Sequence, residues 1–165
     1  MAGITFGKDS HLRLEIEPVS VWSSSPESEG ESMEYQFALY CEDKPVFNPE
    51  IMRLLTIVKG EEDIYLSDFI SKTLTSMSDG MWTMLEPKVL LYMHPLTSMG
   101  CCGQSPAQTM FMLEVTFDQN ILAGENKVFG NYSNTGFSVR FEATALAWTN
   151  FAHKLLEEEE DDFEV

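Results

Sequence analysis

The sequence predicts an α+β protein built on an antiparallel or mixed sheet of about six strands, with two to three helices packed on one face. Three observations lead to this prediction. Several segments alternate strictly between apolar and polar residues, other segments carry apolar residues at helical spacing, and a length of 165 residues suits one domain. The 44% hydrophobic and 12% aromatic content is ordinary for a globular chain.

The strands are predicted from residues that are apolar at every second position. Two short segments, 82–85 and 88–93, bring the number of predicted strands to six. The other four strands have these apolar positions: Leu12, Leu14 and Ile16; Tyr35, Phe37 and Leu39; Phe111, Leu113, Val115 and Phe117; and Phe137, Val139 and Phe141. Because each of these strands has one polar face, the sheet is expected to be covered by helices on its other side.

Two helices are predicted between and after these strands. Ser67 can cap the first helix, whose apolar side runs from Phe69 to Met77 and which Gly80 follows. The last helix has its stripe at i, i+3, i+4 and i+7: Trp148, Phe151, Ala152 and Leu155.

Three further segments are less regular. Segment 48–60 fits a helix with Asn48 as cap and Pro49 in its first turn, which we favour, although the β-branched run Thr56-Ile57-Val58 also fits a strand. Residues 20–33 are predicted to be a mobile surface loop, and residues 95–108 a long irregular stretch.

The charge restricts the classes of partner. The chain has 27 acidic residues against 10 basic ones, a net charge of −17. The segment 157–165 carries seven of the acids and is predicted to fray, because carboxylates are unfavourable at a helix C-terminus. We therefore divide the chain into a domain at 1–156 and an acidic tail at 157–165. A polyanionic body argues against nucleic acid and anionic membranes, and it favours a basic protein partner.

Localisation is expected to be cytoplasmic. The N-terminus lacks a signal-peptide pattern, and no apolar stretch approaches the ~20 residues of a membrane helix. Three cysteines, two of them the neighbours Cys101 and Cys102, do not form a paired disulfide framework.

The sequence predicts no catalytic, cofactor or metal site. His11, His94 and His153 show no metal-ligand spacing with the cysteines. The ten methionines are crowded in the middle of the chain, where they fill core gaps in the interpretation we favour or form an adaptable binding surface in the alternative.

Three stretches carry a family resemblance. The first is a helical segment followed by Gly80, Leu66-Ser67-Asp68-Phe69-Ile70-Ser71-Lys72-Thr73-Leu74. The second is a strand pair with a Leu-Glu-Pro corner, Trp82-Thr83-Met84-Leu85-Glu86-Pro87-Lys88-Val89-Leu90-Leu91. The third is a closing strand and helix at 137–142 and 145–156. In this order the stretches resemble the WapI-type immunity proteins of bacterial polymorphic toxin systems. The resemblance covers about residues 66–158 and implies a small α+β protein that binds a cognate toxin.

The leading hypothesis is a non-enzymatic immunity protein that neutralises a basic toxin domain through an acidic surface. One alternative is a small-ligand-binding or enzymatic domain with a pocket near His94 and Cys102, and another is an adaptor or assembly protein that uses an exposed strand edge. The carboxylates expected to contact the toxin are Glu27, Glu29, Glu31, Glu61, Glu62 and Asp63.

Overall fold

The computed structural model describes residues 2–5, 11–23, 31–46, 53–58, 65–83, 89–96, 106–118 and 136–161. Within these residues the chain forms two antiparallel sheets and two α-helices. The α+β class is therefore confirmed. The prediction of one six-stranded sheet with two to three helices is wrong in detail, because alternation identifies strands but does not say which strands share a sheet.

The first sheet is centred on its longest two strands. Its members are β1 (Ala2–Thr5), β2 (Leu12–Ser23), β3 (Glu31–Cys41), β4 (Lys44–Pro45) and β5 (Arg53–Val58). The strands β1, β2 and β3 lie in that order, and both β4 and β5 pair with β3. The register between β2 and β3 shifts between Pro18 and Ser20, a bulge next to a residue that has no N–H for the ladder.

Two predictions for this part of the chain are wrong. Residues 53–58 form strand β5 and not a helix, because the run Thr56-Ile57-Val58 suits a strand and pairs with residues 31–33 of β3. The prediction of a mobile loop at 20–33 is wrong at both ends of that segment, since β2 continues to Ser23 and β3 begins at Glu31. Residues 24–30, 47–52 and 59–60 lie outside the described part of the chain.

The second sheet is a four-stranded meander. It consists of β6 (Gly80–Thr83), β7 (Val89–Leu96), β8 (Met110–Asp118) and β9 (Gly136–Thr144), each antiparallel to its neighbour. The two ends of the stretch predicted to be irregular, 95–108, are regular. Pro95 belongs to β7, and Pro106–Gln108 form a 3-10 turn, whereas residues 97–105 lie outside the described ranges.

The helices are α1 (Leu66–Ser76) and α2 (Ala145–Asp161). The prediction that Ser67 caps α1 is wrong, because Tyr65 occupies the N-cap position and Ser67 lies buried in the first turn. Met77, in the left-handed conformation, ends α1, and Gly80 is the first residue of β6. At the start of α2 the Thr144 hydroxyl accepts a hydrogen bond of 3.2 Å from the Ala147 N–H, as an N-cap does.

One core joins both sheets and both helices. The inward residues of the sheets share a single buried cluster with the apolar stripes of α1 and α2, and the stripe of α2 is Trp148, Phe151, Ala152 and Leu155 as predicted. Tyr35 of the first sheet meets Trp82 of the second edge to face, with ring centroids 5.8 Å apart. The Trp148 indole N–H donates to the Phe111 carbonyl at 3.3 Å and so attaches α2 to β8.

Gly80 is required by packing against α1. A Cβ added at this position would lie 2.8 Å from Cε2 of Phe69 and even closer to Oγ1 of Thr73. Strand β6 can approach the helix this closely only without a side chain at residue 80.

We predict that Gly80→Ala lowers the free energy of unfolding by about 1–3 kcal/mol, because the added methyl overpacks the contact with α1. Urea denaturation measures the change. The matched background is Thr73→Ala, which removes the nearest clashing atom, so the same Gly80→Ala change should cost less there. An equal cost in both backgrounds would show that this contact is not the cause.

Candidate functional site

The six carboxylates predicted to contact a toxin are only partly located. Glu31 lies in β3, where its backbone pairs with Ser23 on one side and Val58 on the other. The remaining five, Glu27, Glu29, Glu61, Glu62 and Asp63, lie outside the described residues, as do Cys101 and Cys102. The acidic patch built from these six residues therefore stays a prediction.

The most specific polar arrangement is buried beneath α1 and centres on Glu159. This side chain belongs to the last turns of α2, and the residue is only 1% exposed. Its Oε1 accepts a hydrogen bond of 2.7 Å from the Tyr35 hydroxyl, and its Oε2 accepts one from the Ser67 hydroxyl. The expectation that the chain frays from Glu157 is thus wrong for residues 157–161, because burial and these bonds outweigh the unfavourable helix dipole.

The same carboxylate sits at the N-terminus of α1. The Ser67 backbone N–H donates to Oε1 of Glu159 at 3.4 Å, and the Leu66 N–H donates to the Tyr35 hydroxyl at 3.2 Å. The N-cap residue Tyr65 makes no side-chain capping bond. Glu159 and Tyr35 therefore supply from other elements the acceptors that an N-cap side chain normally provides.

Burial sets the protonation of this cluster. It raises the pKa of Glu159 above its ordinary value, with a further contribution from Asp68, while the bonds from Ser67 and Tyr35 act in the opposite direction. Burial and the nearby Glu159 raise the pKa of Tyr35 far above its usual value, so Tyr35 remains a hydroxyl donor. The neutral donors Tyr35 and Ser67 thus connect β3 and α1 to the carboxyl group of Glu159 on α2.

The described side chains on the outer face of the first sheet include a group of polar residues that are paired with one another. Arg13 contacts Glu15 at 2.7 Å and Asp43 at 3.8 Å, and its guanidinium lies 4.5 Å from the centre of the Tyr40 ring. Burial and the adjacent Glu15 raise the pKa of Tyr40. Arg13 thus links the beginning of β2 to the end of β3, and its positive charge is already balanced by Glu15 and Asp43.

A tight hairpin adjoins this cluster. Glu42 and Asp43 connect β3 to β4 with φ of 50° and 61°, the positive values that a two-residue type I′ turn requires. The turn holds the Asp43 side chain 95% exposed. It therefore presents two carboxylates to solvent on a short, well-defined loop.

An open groove of about 690 Å³ lies beside the hairpin. Leu12, Leu39, Cys41 and Val46 line it from the first sheet, and Ser138, Val139 and Arg140 line it from β9. Its lining is mostly apolar, and it does not include His94. The alternative hypothesis of a pocket near His94 and Cys102 therefore gains no support from this groove.

The outer face of the second sheet has a different character. Tyr92 and His94 project outward from β7 because Leu91 and Met93, on the alternate positions, are fully buried. Their rings lie 5.2 Å apart, and Nδ1 of His94 is buried and has no hydrogen-bond partner among the described residues. The Tyr92 hydroxyl donates to Asp79 at 2.8 Å, a bond that raises the Tyr92 pKa. This half-buried pair lies on the outer face of the second sheet.

The methionines divide between the two roles considered from sequence. Met33 and Met93 are buried in the core, while Met77, Met81 and Met110 are exposed. Two of the exposed ones, Met81 and Met110, lie on the outer face of the second sheet. Within a strand, alternation in the sequence separates the buried methionines from the exposed ones. Met110 and Met112 alternate with the core residues Phe111 and Leu113 and therefore point to the opposite face.

Over the described ranges, His, Cys, Asp and Glu do not gather in groups of three or more that could hold a metal ion. Neither α1 nor α2 is long and apolar enough to cross a membrane, and this finding concerns only the residues that the structure describes.

Comparison of the chain with protein-family models, with curated proteins and with solved structures gave no match. The resemblance to WapI-type immunity proteins accordingly remains a prediction from the sequence.

We predict that the free energy of unfolding of Glu159→Gln increases relative to that of the wild type as pH rises from about 4.5. The raised pKa means that folded Glu159 keeps its proton after the unfolded chain, whose ordinary value is 4.5, has lost it. This contribution is complete below the unfolded pKa and is lost as pH rises through the folded pKa. Glutamine mimics the protonated form and does not titrate.

The measurement is urea denaturation of both proteins between pH 4 and 8. The difference should rise by at most about 1.4 kcal/mol per pH unit and then level off. Because Glu160 is exposed, Glu160→Gln serves as the control for the change in net charge. A difference that decreases with pH, or that Glu160→Gln reproduces, would contradict the role of burial.

Proposed function

We propose that the protein is a non-enzymatic immunity protein that binds a basic toxin domain in a stoichiometric complex and covers its active surface. The observation that carries this proposal is the net charge of −17 on 165 residues. A protein with this potential attracts a basic partner over several ångströms and repels nucleic acid and other acidic proteins.

The placement of the carboxylates supports the proposal. Exposed acidic residues occur on both helices, at the hairpin and at the margin of the second sheet, as in Asp43, Asp68, Asp79, Glu142 and Glu160. Several of the acids on strands are already paired, since Glu15 contacts Arg13 and Glu114 contacts Arg140. The exposed carboxylates lie at the surface, where Lys or Arg side chains of a partner can reach them.

A rigid scaffold also fits inhibition by binding. The two sheets and two helices share one core, and the Glu159 cluster fixes the end of α2 to α1 and β3. A preorganised surface loses little entropy when it associates, so more of the contact energy remains as affinity.

The partner to test is the basic toxin domain encoded beside the gene for this chain, in a catalytically inactive form. We predict a one-to-one complex at 50 mM salt by isothermal titration calorimetry, with an affinity that falls about tenfold or more at 300 mM salt because the attraction between charged surfaces is screened.

The control is a non-cognate basic protein of similar size and charge, which should bind at least about a hundredfold more weakly because it lacks the shape of the cognate surface. Absence of a complex with the neighbouring toxin domain at 50 mM salt would refute the proposed function. Equal binding of the non-cognate protein would show that the binding is only a non-specific attraction between opposite charges.

A further inference from the structure

We propose that the toxin domain docks on the outer face of the second sheet, with its contacts centred on the outward side chains of β6, β7 and β8. This inference rests on the proposed function and names the surface that performs it. The centre of this docking face consists of Met81, Leu90, Tyr92, His94, Met110 and Met112.

The orientation of these side chains follows from the buried ones. The inward residues of β7 and β8, which include Leu91, Met93 and Phe111, are fully buried in the core shared with α1 and α2. Alternation then places the remaining side chains of the strands on the opposite face. Both helices contribute their apolar stripes to the inner side, and Met81 on the outer side is 63% exposed.

The composition of the docking face is that of an interface centre. Methionine and aromatic residues are enriched where proteins bind one another, and methionine adapts its shape to a partner. On the outer face of the first sheet Arg13, Glu15 and Tyr40 are engaged with one another, whereas the centre of the docking face is made mostly of apolar and aromatic side chains. Among the described side chains of the two outer sheet faces, the large exposed apolar ones are Met81 and Met110 of the second sheet, and they gain most from being covered.

The charges around the docking face favour a basic protein as the partner that covers it. Among the described residues of the docking face the only Lys or Arg is Arg140, and its charge is balanced by Glu114 at 2.7 Å. Asp79 and Glu142 are exposed at the margin, where Asp79 is held by the Tyr92 hydroxyl. Apolar residues with carboxylates at the margin match a partner that carries Lys or Arg around an apolar centre.

A second copy of this chain is a poor occupant. Each copy would bring a net charge of −17 and the same marginal carboxylates, so two docking faces would repel each other. A basic protein domain relieves this repulsion. The charge thus favours association with a different protein.

The docking face is smaller than a standard protein–protein interface. The strands β7 to β9 overlap over eight residues, which gives about 27 Å by about 15 Å, or roughly 400 Å² in projection. A standard interface buries about 800 Å² on each partner, so neighbouring surfaces must take part. The groove is adjacent, because Ser138 and Arg140 of β9 belong both to its lining and to this sheet face.

The test compares two double variants of the full chain that change net charge equally. Met81→Lys with Met110→Lys alters side chains of the docking face that are 63% and 36% exposed. The matched control, Leu146→Lys with Leu156→Lys, alters side chains of α2 that are 56% and 38% exposed. All four positions are partly solvated, so both variants should fold, which circular dichroism checks.

Titration against the inactive toxin domain should show at least a tenfold loss of affinity for the Met81 and Met110 variant and less than about a threefold loss for the α2 variant. If the lysine variant does not fold, Met81→Gln with Met110→Gln is compared with Leu146→Gln and Leu156→Gln in its place.

The outcomes separate the two proposals. If the wild-type chain forms no complex, the proposed function fails. If it forms a complex that the Met81 and Met110 variant weakens no more than the α2 variant does, the docking face is wrong and the proposed function stands. A dimer of the free chain that only the Met81 and Met110 variant dissociates would also overturn this inference, because a second copy would then occupy the docking face.

Discussion

The arrangement of the helices depends on one buried carboxyl group. Glu159 reaches from the end of α2 to the first turn of α1 and to Tyr35 in the centre of β3, residues that are 92 and 124 positions away in sequence. Burying such a group without partners costs several kcal/mol. Here two hydroxyls and a backbone N–H donate to it, so its burial is compatible with folding only when all three elements are in place.

Sequence-based prediction succeeded where the signal is local and failed where distant contacts, such as those of Glu159, decide the structure. The inward residues of the strands, such as Leu14, Phe37 and Leu113, were predictable because a period of two identifies a half-buried strand without knowledge of its neighbours. The end of α2 was not predictable in this way. Local electrostatics disfavours a run of glutamates there, and only the distant partners Tyr35 and Ser67 make Glu159 a buried residue.

The other errors have the same origin in tertiary structure. Segment 53–58 combines apolar residues at helical spacing with β-branched residues that favour a strand. It forms a strand because it pairs with the edge of β3. Ser67 has the residue type of an N-cap, yet its hydroxyl bonds Glu159 within the first turn of α1. For the docking face, alternation places Met110 and Met112 opposite the core, but the strand pairing that brings Met81 and Tyr92 beside each other could not be inferred from the sequence. The acidic segments proposed first as contacts, including Glu27 and Glu61, lie outside the described residues and stay predictions.

Glu159 is a structural residue, and its exposed neighbour Glu160 allows a direct comparison. Urea denaturation of Glu159→Ala and Glu160→Ala at pH 7 makes it, since both changes remove one carboxylate from the same helix turn. A structural role of Glu159 predicts a loss of about 2–4 kcal/mol for Glu159→Ala, because Tyr35 and Ser67 lose their acceptor, and a change within about 0.5 kcal/mol for exposed Glu160→Ala. Equal effects of the two substitutions would contradict it.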